Sequence, residues 1–316
     1  MTPAGAAGAA RTAGAAGPAE VVHTVLGPVD PAGLGLCDAH DHLFLRSEQL
    51  PGQELDDPAA AEAELRAFAA LGGGALVQWT PYGMGRRIPD LIALSRATGV
   101  HLVAATGLHQ AAHYPPGRLR GLDLAALFTA ELTGPAGPSG PGGPGRAGLI
   151  KVAGGYHGLD AHARRTLTAA AEAHRATGAP IAVHHELGTA AGDVLDLLCD
   201  RLGVPPRRVL LGHLNRFPDL RMQREAAASG AYLVLDGPSR AHHATDHHLL
   251  DTLVALTEAG HGGQLLLGGD TTTAAARGNP GPAYLLSGLR PRLVRALGER
   301  AADGILRANP ARAFAW

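Results

Sequence analysis

Short apolar runs alternate with longer alanine-rich, charge-bearing segments along this chain, and that alternation limits the folds open to it. The runs have the composition of buried strands and the intervening segments have helical character, a pattern typical of repeated βα units and a parallel sheet. The helical segments include residues 59–71, 161–177 and 190–202. The apolar runs predict strands at residues 35–38, 75–80, 102–106, 149–153, 181–184, 209–212, 232–235 and 265–268.

The number of these units predicts the architecture. A length of 316 residues would by itself allow one domain or two. Eight βα units in about 280 residues fit a single (β/α)8 TIM barrel, of the α/β class, better than two domains. We therefore predict one barrel over residues 21–316, preceded at residues 1–20 by a disordered leader that is mostly Ala, Gly and Pro.

A run rich in Gly and Pro at residues 134–148 interrupts the βα pattern. Such a run cannot be helix or strand, and we expect it to form a flexible surface loop. A linker between two domains is the alternative. The predicted fourth strand follows at once, however, so a loop inserted within one barrel needs fewer assumptions.

The composition argues against several classes of partner. With 46% hydrophobic and 17% charged residues and a formal net charge of -1, the chain has the profile of a soluble globular protein. No uncharged apolar stretch approaches the roughly 18 residues of a membrane span, and no basic cluster suggests nucleic acid. The two cysteines are too few for a disulfide framework, so we expect a reducing compartment, the cytoplasm by default.

Six polar residues lie at or just beyond the ends of the predicted strands, and together they make a metal-ligand set. In a TIM barrel the carboxyl ends of the strands form the active site, so these side chains should converge on one mouth. Imidazoles and carboxylates bind zinc-like divalent ions. A lysine ammonium cannot, but carboxylation by carbon dioxide would convert it into an anion able to bridge two metals. The six residues are His40, His42, Lys151, His184, His213 and Asp270.

Each member of this set also has a simpler explanation. His40 and His42 are two residues apart, so both rings can face the same side of an extended strand end, but surface or core histidines are common in a chain with 17 of them. Lys151 could extend its ammonium to the barrel rim or pair with a carboxylate. Asp270 could be the N-cap of a helix, because it precedes three threonines. Only their joint placement at strand ends favours the metal hypothesis.

One position has a direct rival. His184 and His185 are adjacent at the end of a predicted strand, and alternation puts them on opposite sides. We choose His184 as the ligand and expect His185 to help hold the loop.

Taken in order, these residues and their neighbours resemble the phosphotriesterase family of the amidohydrolase superfamily, which includes phosphotriesterases, phosphotriesterase-like lactonases and phosphotriesterase-related proteins. The resemblance runs from Val21 to Trp316. Its marks are TVLGP at residues 24–28, AHDHL at 39–43, GMGR at 83–86, VAATG at 103–107, AGLIKVA at 147–153, TGAP at 177–180, GH at 212–213, GGD at 268–270 and NPAR at 309–312.

The resemblance implies a carboxylated Lys151 shared by two ions. His40, His42 and Asp270 would complete the first site, and His184 and His213 the second. Zinc is the expected metal, with Mn, Co or Fe as alternatives. A hydroxide bridging two cations is ionised near neutral pH and can attack, one metal can polarise the substrate oxygen, and Asp270 can accept the proton. The chain has no Gly-x-Ser-x-Gly elbow for a serine nucleophile.

The substrate is less well defined by the sequence. The chain has Asp41 where the family usually has Glu, and Gly237 where phosphotriesterases have His and many lactonases Arg, so the proton-relay partner of Asp270 is open. Only 4% of the residues are aromatic, which argues against a pocket for large aryl leaving groups. The candidate substrate-binding residues are His109, Tyr156, Asn215, Arg216 and Arg240.

Two of these polar features have ordinary alternatives. Arg216 and Arg240 would suit a hydroxylated or phosphorylated lactone, yet rim salt bridges would explain them equally well. The histidine cluster at residues 242–248 follows the seventh strand, and we expect solvated loop histidines there rather than catalytic ones.

The leading hypothesis is a binuclear metal-dependent hydrolase of esters or lactones, with a sugar lactone as one such substrate and phosphotriester hydrolysis as a promiscuous activity. The alternative enzyme has phosphotriesters as its main substrates. A third hypothesis, from another class, is a barrel that retains its metals without catalysis. The expected partner is a small-molecule substrate, and relatives in the family often form homodimers.

Overall fold

The computed structural model describes residues 20–134, 136–137, 140–141, 143–237 and 246–316. Apart from Glu20, the predicted leader at residues 1–20 lies outside this part of the chain. Within it, no helix is both long enough and apolar enough to cross a membrane.

Eight parallel strands, which we number β1 to β8, form one sheet whose spatial order follows the chain. The two edge strands meet, because the Asp270 amide beyond β8 donates to the His40 carbonyl of β1 over 2.9 Å. The predicted (β/α)8 barrel is therefore confirmed. The strands are β1 Leu36–Asp41, β2 Gly73–Gln78, β3 His101–Gly107, β4 Leu149–Ala153, β5 Ile181–His184, β6 Val209–Gly212, β7 Tyr232–Asp236 and β8 Leu265–Gly268.

Helices surround the barrel, and several start where the sequence supplies an aspartate cap. The Asp57, Asp123, Asp160 and Asp219 side chains each accept hydrogen bonds from backbone amides in the first turn of a helix. The α-helices are α1 Pro58–Ala70, α2 Ile88–Thr98, α3 Leu124–Thr133, α4 Ala161–Thr177, α5 Ala191–Leu195, α6 Leu220–Ala228, α7 Leu249–Leu256, α8 Arg290–Leu297, α9 Glu299–Asp303 and α10 Asn309–Ala313.

The observed bounds of the helices and strands differ most from the predicted ones where the sequence pattern is least regular. The helix predicted at residues 190–202 is α5 followed by a π-helical segment, Asp196–Arg201. Similar π-helical segments occur at Thr257–His261, Leu285–Leu289 and Gly304–Ala308. By contrast, β4, β5, β6, β8 and α4 have the predicted bounds.

Alternation along the strands builds two separate cores. Inside the barrel, one layer contains Leu149 of β4, Ala182 of β5 and Val234 of β7. Side chains of the opposite parity, such as Ile150 and Val183, pack outward against the helices. Because the period of a strand is two residues, the next inward positions after that layer carry the polar residues of the mouth.

The amino-terminal end of the barrel is closed. An antiparallel ribbon formed by Val22–Thr24 and Gly27–Val29 lies there, and Val22 also pairs with Ala315. Phe314 is fully buried with the interior core, and the His23 and Trp316 rings lie 4.2 Å apart. The opening of the barrel is therefore at the carboxyl ends of the strands.

The Gly/Pro run contains paired backbone, contrary to our expectation that it could not form strand. Two two-residue strands, Ala136–Gly137 and Gly140–Pro141, pair in antiparallel fashion. Such pairing uses main-chain groups, so a segment with almost no apolar side chains can still form it. The statement that no part of the run could be strand was wrong because it weighed side-chain propensity alone, whereas the surface loop stays a prediction.

Gly107, at the end of β3, allows β4 to approach closely. Its φ is +98°, and an ideal Cβ there would lie 2.0 Å from the Lys151 carbonyl oxygen. We expect Gly107→Ala to lower the free energy of unfolding by about 3 kcal/mol or more, because β3 and β4 must separate. Urea denaturation would measure the loss.

Gly99→Ala is the matched control, since Gly99 has φ +74° and no atom within 4 Å of an added Cβ. It should lose only about 1–2 kcal/mol, the cost of left-handed backbone for an L-residue. Equal losses in the two variants would contradict the steric argument.

Candidate metal centre

A cavity of about 200 Å³ opens at the carboxyl ends of the strands. All six predicted ligands line it, although they come from five different strands or strand ends. Its remaining wall combines apolar and polar side chains. The other lining residues are Leu45, Ser47, Gln49, Leu50, Pro81, Met84, His109, His113, Glu186 and Thr272.

His40, His42 and Asp270 form one corner of the cavity. The Nε2 atoms of the two histidines each lie 3.5 Å from the Asp270 carboxylate oxygen Oδ1. All three residues are buried, and one ligand atom from each falls within the span of a single metal ion. On the far side of its ring, His42 Nδ1 lies 2.8 Å from Thr80 Oγ1.

The Asp236 carboxylate at the end of β7 binds two of the imidazoles from behind. His40 Nδ1 lies 2.7 Å from one carboxylate oxygen, and His213 Nδ1 lies 2.6 Å from the other. An ionised carboxylate only accepts, so both Nδ1 atoms must carry a proton. Burial would raise the pKa of Asp236, but the charges of His213 and His40 lower it overall. The two Nε2 atoms are then the ones available to bind a metal.

Lys151 faces the same cavity from β4 and is 2% exposed. Of the chain's 27 lysine and arginine residues it is the only lysine. Among the described residues, no carboxylate forms a salt bridge with it. Burial lowers its pKa to about 7, although Asp270 opposes that shift. A substantial fraction is therefore the neutral amine, the form that reacts with carbon dioxide.

His184 and His213 lie beside Lys151, with their ring centroids 4.6 Å apart. Burial, reinforced by the charge of His213, lowers the pKa of His184 to about 3, and burial also lowers that of His42. Neutral rings with a free lone pair are what metal ligation requires. The rival His185 is fully buried and does not line the cavity, so alternation separates the two as expected.

Two of these residues have strained backbones. His213 has φ +69° and Asp270 has φ +57°, in the left-handed region that non-glycine residues rarely occupy. Such strain costs about 1 kcal/mol or more per residue and clusters at functional sites. Asp270 caps no helix here, so the alternative explanation for that residue has no support from the structure.

Not all of the proposed substrate-binding residues line the cavity. His109 lines the cavity, with its ring 4.5 Å from that of His184. Tyr156 is 62% exposed and is not part of the cavity wall. Asn215 is buried behind the site, where its amide pairs with the backbone of Asp236.

Of the two proposed arginines, only Arg216 is described, and it is not part of this cavity wall. Arg216 forms an ion pair with Asp246 at 2.7 Å, which is the ordinary alternative that the sequence left open. Arg240 lies outside the described residues, as do residues 242–245 of the histidine cluster. His247 and His248, also in that cluster, are exposed with their rings 3.9 Å apart.

Sequence reasoning assigned no role to three residues that the structure places at this site. The sequence argument mentioned the end of β7 only for Gly237 and gave Asp236 no role. Tyr232 and Val234 of β7 point into the barrel, so the two-residue period would have placed the Asp236 side chain at the mouth. His113 and Glu186 follow β3 and β5 in loops, where no periodicity predicts side-chain direction. Their positions depend on the loop conformations.

The donor set fits a metal centre on structural grounds. Nε2 atoms and a carboxylate converge at one corner, Asp236 fixes the ring protons, and a buried lysine faces the same space. Oxygen and nitrogen donors of this kind suit zinc and related divalent ions. The arrangement can hold metal and place it against a small substrate.

Comparison with known protein families gives a match over nearly the whole chain. The sequence model described as the Phosphotriesterase family matches residues 20–314. Metal-dependent hydrolysis is the activity of that family.

Individual relatives agree with this match. Phospho-furanose lactonase of Mycoplasmopsis agalactiae is 30% identical over 251 residues, covering 73% of this chain and 70% of that protein. The crystal structure of a lactonase from Listeria monocytogenes has a TM-score of 0.84 at 26% identity, covering 93% and 98% of the two chains. A mutant organophosphorus hydrolase from Deinococcus radiodurans has a TM-score of 0.82 at 27% identity, covering 93% and 97%.

Asp236→Asn tests the role of the shared carboxylate. An amide oxygen can accept from one imidazole, but the amide NH2 would face the other Nδ1 and impose the wrong tautomer on that ring. We expect the affinity for Zn²⁺ to fall about 10- to 100-fold, measured by competition with a chelator. Asp196→Asn, which alters an exposed pair with Arg201, should change it less than about twofold. An unchanged affinity in Asp236→Asn would refute the tautomer argument.

Proposed function

The chain belongs to the phosphotriesterase family, and on that premise we propose that it is a metal-dependent hydrolase of lactones or esters with a slower phosphotriesterase activity. The observation that carries the proposal is a single cavity in which the His40, His42 and Asp270 donors meet a buried Lys151. The names of the relatives support it, since lactonases and an organophosphorus hydrolase are among them.

We propose a binuclear centre on these residues. His40, His42 and Asp270 would hold one divalent ion, and His184 and His213 the other, with carboxylated Lys151 common to both. Zinc is the first candidate, and Mn, Co or Fe would also suit the donors. Bound ions would supply Lewis-acid polarisation of the substrate oxygen and a water acidic enough to ionise near neutral pH.

The chain's own residues would position the reaction and move the proton. Burial would raise the pKa of Asp270, but the charges of His213 and His40 hold it well below its usual range, so its carboxylate is ionised and can accept a proton. The space beside Gly237, where relatives have a basic side chain, is occupied by Asp246: an added Cβ would lie 2.7 Å from Asp246 Oδ1. Residue 237 therefore has no room for a basic relay partner, and the Asp246 carboxylate beside it is paired with Arg216.

The alternative functions have less support. Phosphotriesters as main substrates would call for a roomy aromatic pocket, but this cavity of about 200 Å³ is below the roughly 300–1,000 Å³ of sites for drug-sized ligands. A barrel that kept its metals without catalysis would have no need of a neutral buried amine beside them.

Lys151 provides the first test. On untagged protein prepared with bicarbonate, we expect about two ions per wild-type chain and lactone hydrolysis. Lys151→Ala and Lys151→Met should each lose most of the metal and at least about 100-fold in kcat/KM. Because Lys151 is the only lysine, ¹³C-bicarbonate should give one side-chain carbamate signal by NMR, and both variants should lack it.

Lys151→Met serves as the control for folding, since it fills nearly the same volume with an apolar side chain. If the metal content did not depend on Lys151 and no carbamate signal appeared, the proposed binuclear centre would be wrong. The chain would then resemble its relatives in fold but not in metal site.

A substrate panel separates the two enzyme functions. We expect kcat/KM for small γ- and δ-lactones to exceed that for an aryl dialkyl phosphotriester by about tenfold or more, because the cavity is small. The reverse order would favour the phosphotriesterase alternative. Metal-loaded protein inactive on lactones, esters, amides and phosphotriesters alike would favour the non-catalytic barrel.

A further inference from the structure

Glu186 places a carboxylate in the wall of the cavity that no proposed metal site uses. It follows β5 and is one of the polar residues that line the cavity. Its Oε2 atom lies 3.1 Å from His184 Nε2 and accepts a hydrogen bond from Gln110 Nε2, also over 3.1 Å. The side chain is 37% exposed, so it faces both the proposed metals and the entrance.

The loop backbone fixes the position of this carboxylate. The Glu186 carbonyl accepts hydrogen bonds from both the amide and the hydroxyl of Thr189. Leu187 and Gly188 both have positive φ, and an added Cβ at Gly188 would lie 2.7 Å from the His213 carbonyl oxygen. Gln110 in turn donates a hydrogen bond to the Gly154 carbonyl. Contacts among the loops after β3, β4 and β5 therefore hold the Glu186 side chain in place.

No fixed positive charge balances Glu186 among the described residues. Lys151 is the only Lys or Arg in the described lining of the cavity. Three arginines in the loops after β2, β6 and β8 have carboxylate partners of their own. These pairs are Arg86 with Glu131, Arg216 with Asp246, and Arg277 with Glu64.

The polar wall beside Glu186 is suited to hydroxyl groups. Ser47 Oγ lies 2.8 Å from His113 Nδ1, and Gln49 shares the lining with both. Hydroxyls, a neutral imidazole, an amide and a carboxylate offer both donors and acceptors. Burial lowers the pKa of His113 to about 4, with Lys151 adding to the shift, so this ring offers no positive charge at neutral pH.

We propose that Glu186 makes the site selective for an uncharged, hydroxyl-bearing lactone and against its phosphorylated counterpart. The carboxylate accepts hydrogen bonds from substrate hydroxyls and repels a phosphate monoester at short range. This inference rests on the proposed lactonase function and narrows its substrate class. It also separates this chain from the relatives named phospho-furanose lactonase.

The test compares D-ribono-1,4-lactone with its 5-phosphate on the zinc-loaded protein. Wild type should favour the uncharged lactone by about tenfold or more in kcat/KM. Glu186→Gln, which keeps the size and one acceptor, should move the ratio toward the phosphorylated lactone by about tenfold. Glu48→Gln removes the same charge from an exposed position between Ser47 and Gln49, and should change the ratio less than about twofold.

Binding of inorganic phosphate, measured by calorimetry on the same proteins, gives a readout without turnover. Glu186→Gln should bind phosphate about tenfold more tightly than wild type. Equal affinities, a wild-type preference for the phosphorylated lactone, or an unchanged ratio would each overturn the proposal. So would loss of zinc in Glu186→Gln, because Glu186 would then act through His184. Failure of every protein to hydrolyse either lactone would instead count against the lactonase function, while the phosphate affinities would still decide the role of Glu186.

Discussion

One buried carboxylate organises the centre, because Asp236 binds the back of two imidazoles that come from other strands. Its two oxygens hold His40 of β1 and His213 beyond β6 at 2.7 and 2.6 Å. It therefore ties three strands together at the mouth and fixes which nitrogen of each ring faces the cavity. Asn215 secures Asp236 in turn by pairing with its backbone amide and carbonyl. The metal-facing geometry depends on this layer of hydrogen bonds beneath it.

The same arrangement explains how a buried cluster of basic groups is tolerated. The histidines and the lysine of the site would repel one another if all were protonated, and burial would raise the free energy of each charged form. Burial instead keeps the pKa values of His42, His184 and Lys151 low. The charges of His213 and His40 in turn stabilise the carboxylates of Asp236 and Asp270. His42, His184 and Lys151 are therefore neutral donors. Burial would also lower the pKa of His213, but the charges of Asp236 and Asp270 outweigh burial and raise that pKa, and a bound cation would replace the proton.

The sequence correctly predicted the direction of side chains where the two-residue period of a strand determines it. The prediction failed where the direction depends on the conformation of a loop. Ligands such as Lys151 and His184 follow an inward-facing residue by two positions, so a one-dimensional pattern was sufficient to find them. Tyr156 looked equally plausible by proximity to a strand end, yet it is exposed, because it lies in a turn whose flanking residues Gly155 and Gly158 pair with each other. Glu186 was missed for the same reason, since its direction is fixed by contacts among three loops that are distant in sequence.

The presence of one lysine in the whole chain has a practical consequence. Every other fixed cation is a guanidinium, which aldehydes, anhydrides and active esters modify poorly at neutral pH, whereas a lysine amine reacts readily once it is neutral and reachable. Lys151, the one side-chain amine, is 2% exposed and lines a cavity of about 200 Å³, so a reagent must enter that cavity to reach it. Acylation of this side chain by reagents of graded size would thus measure the width of the entrance, with no second lysine to obscure the result.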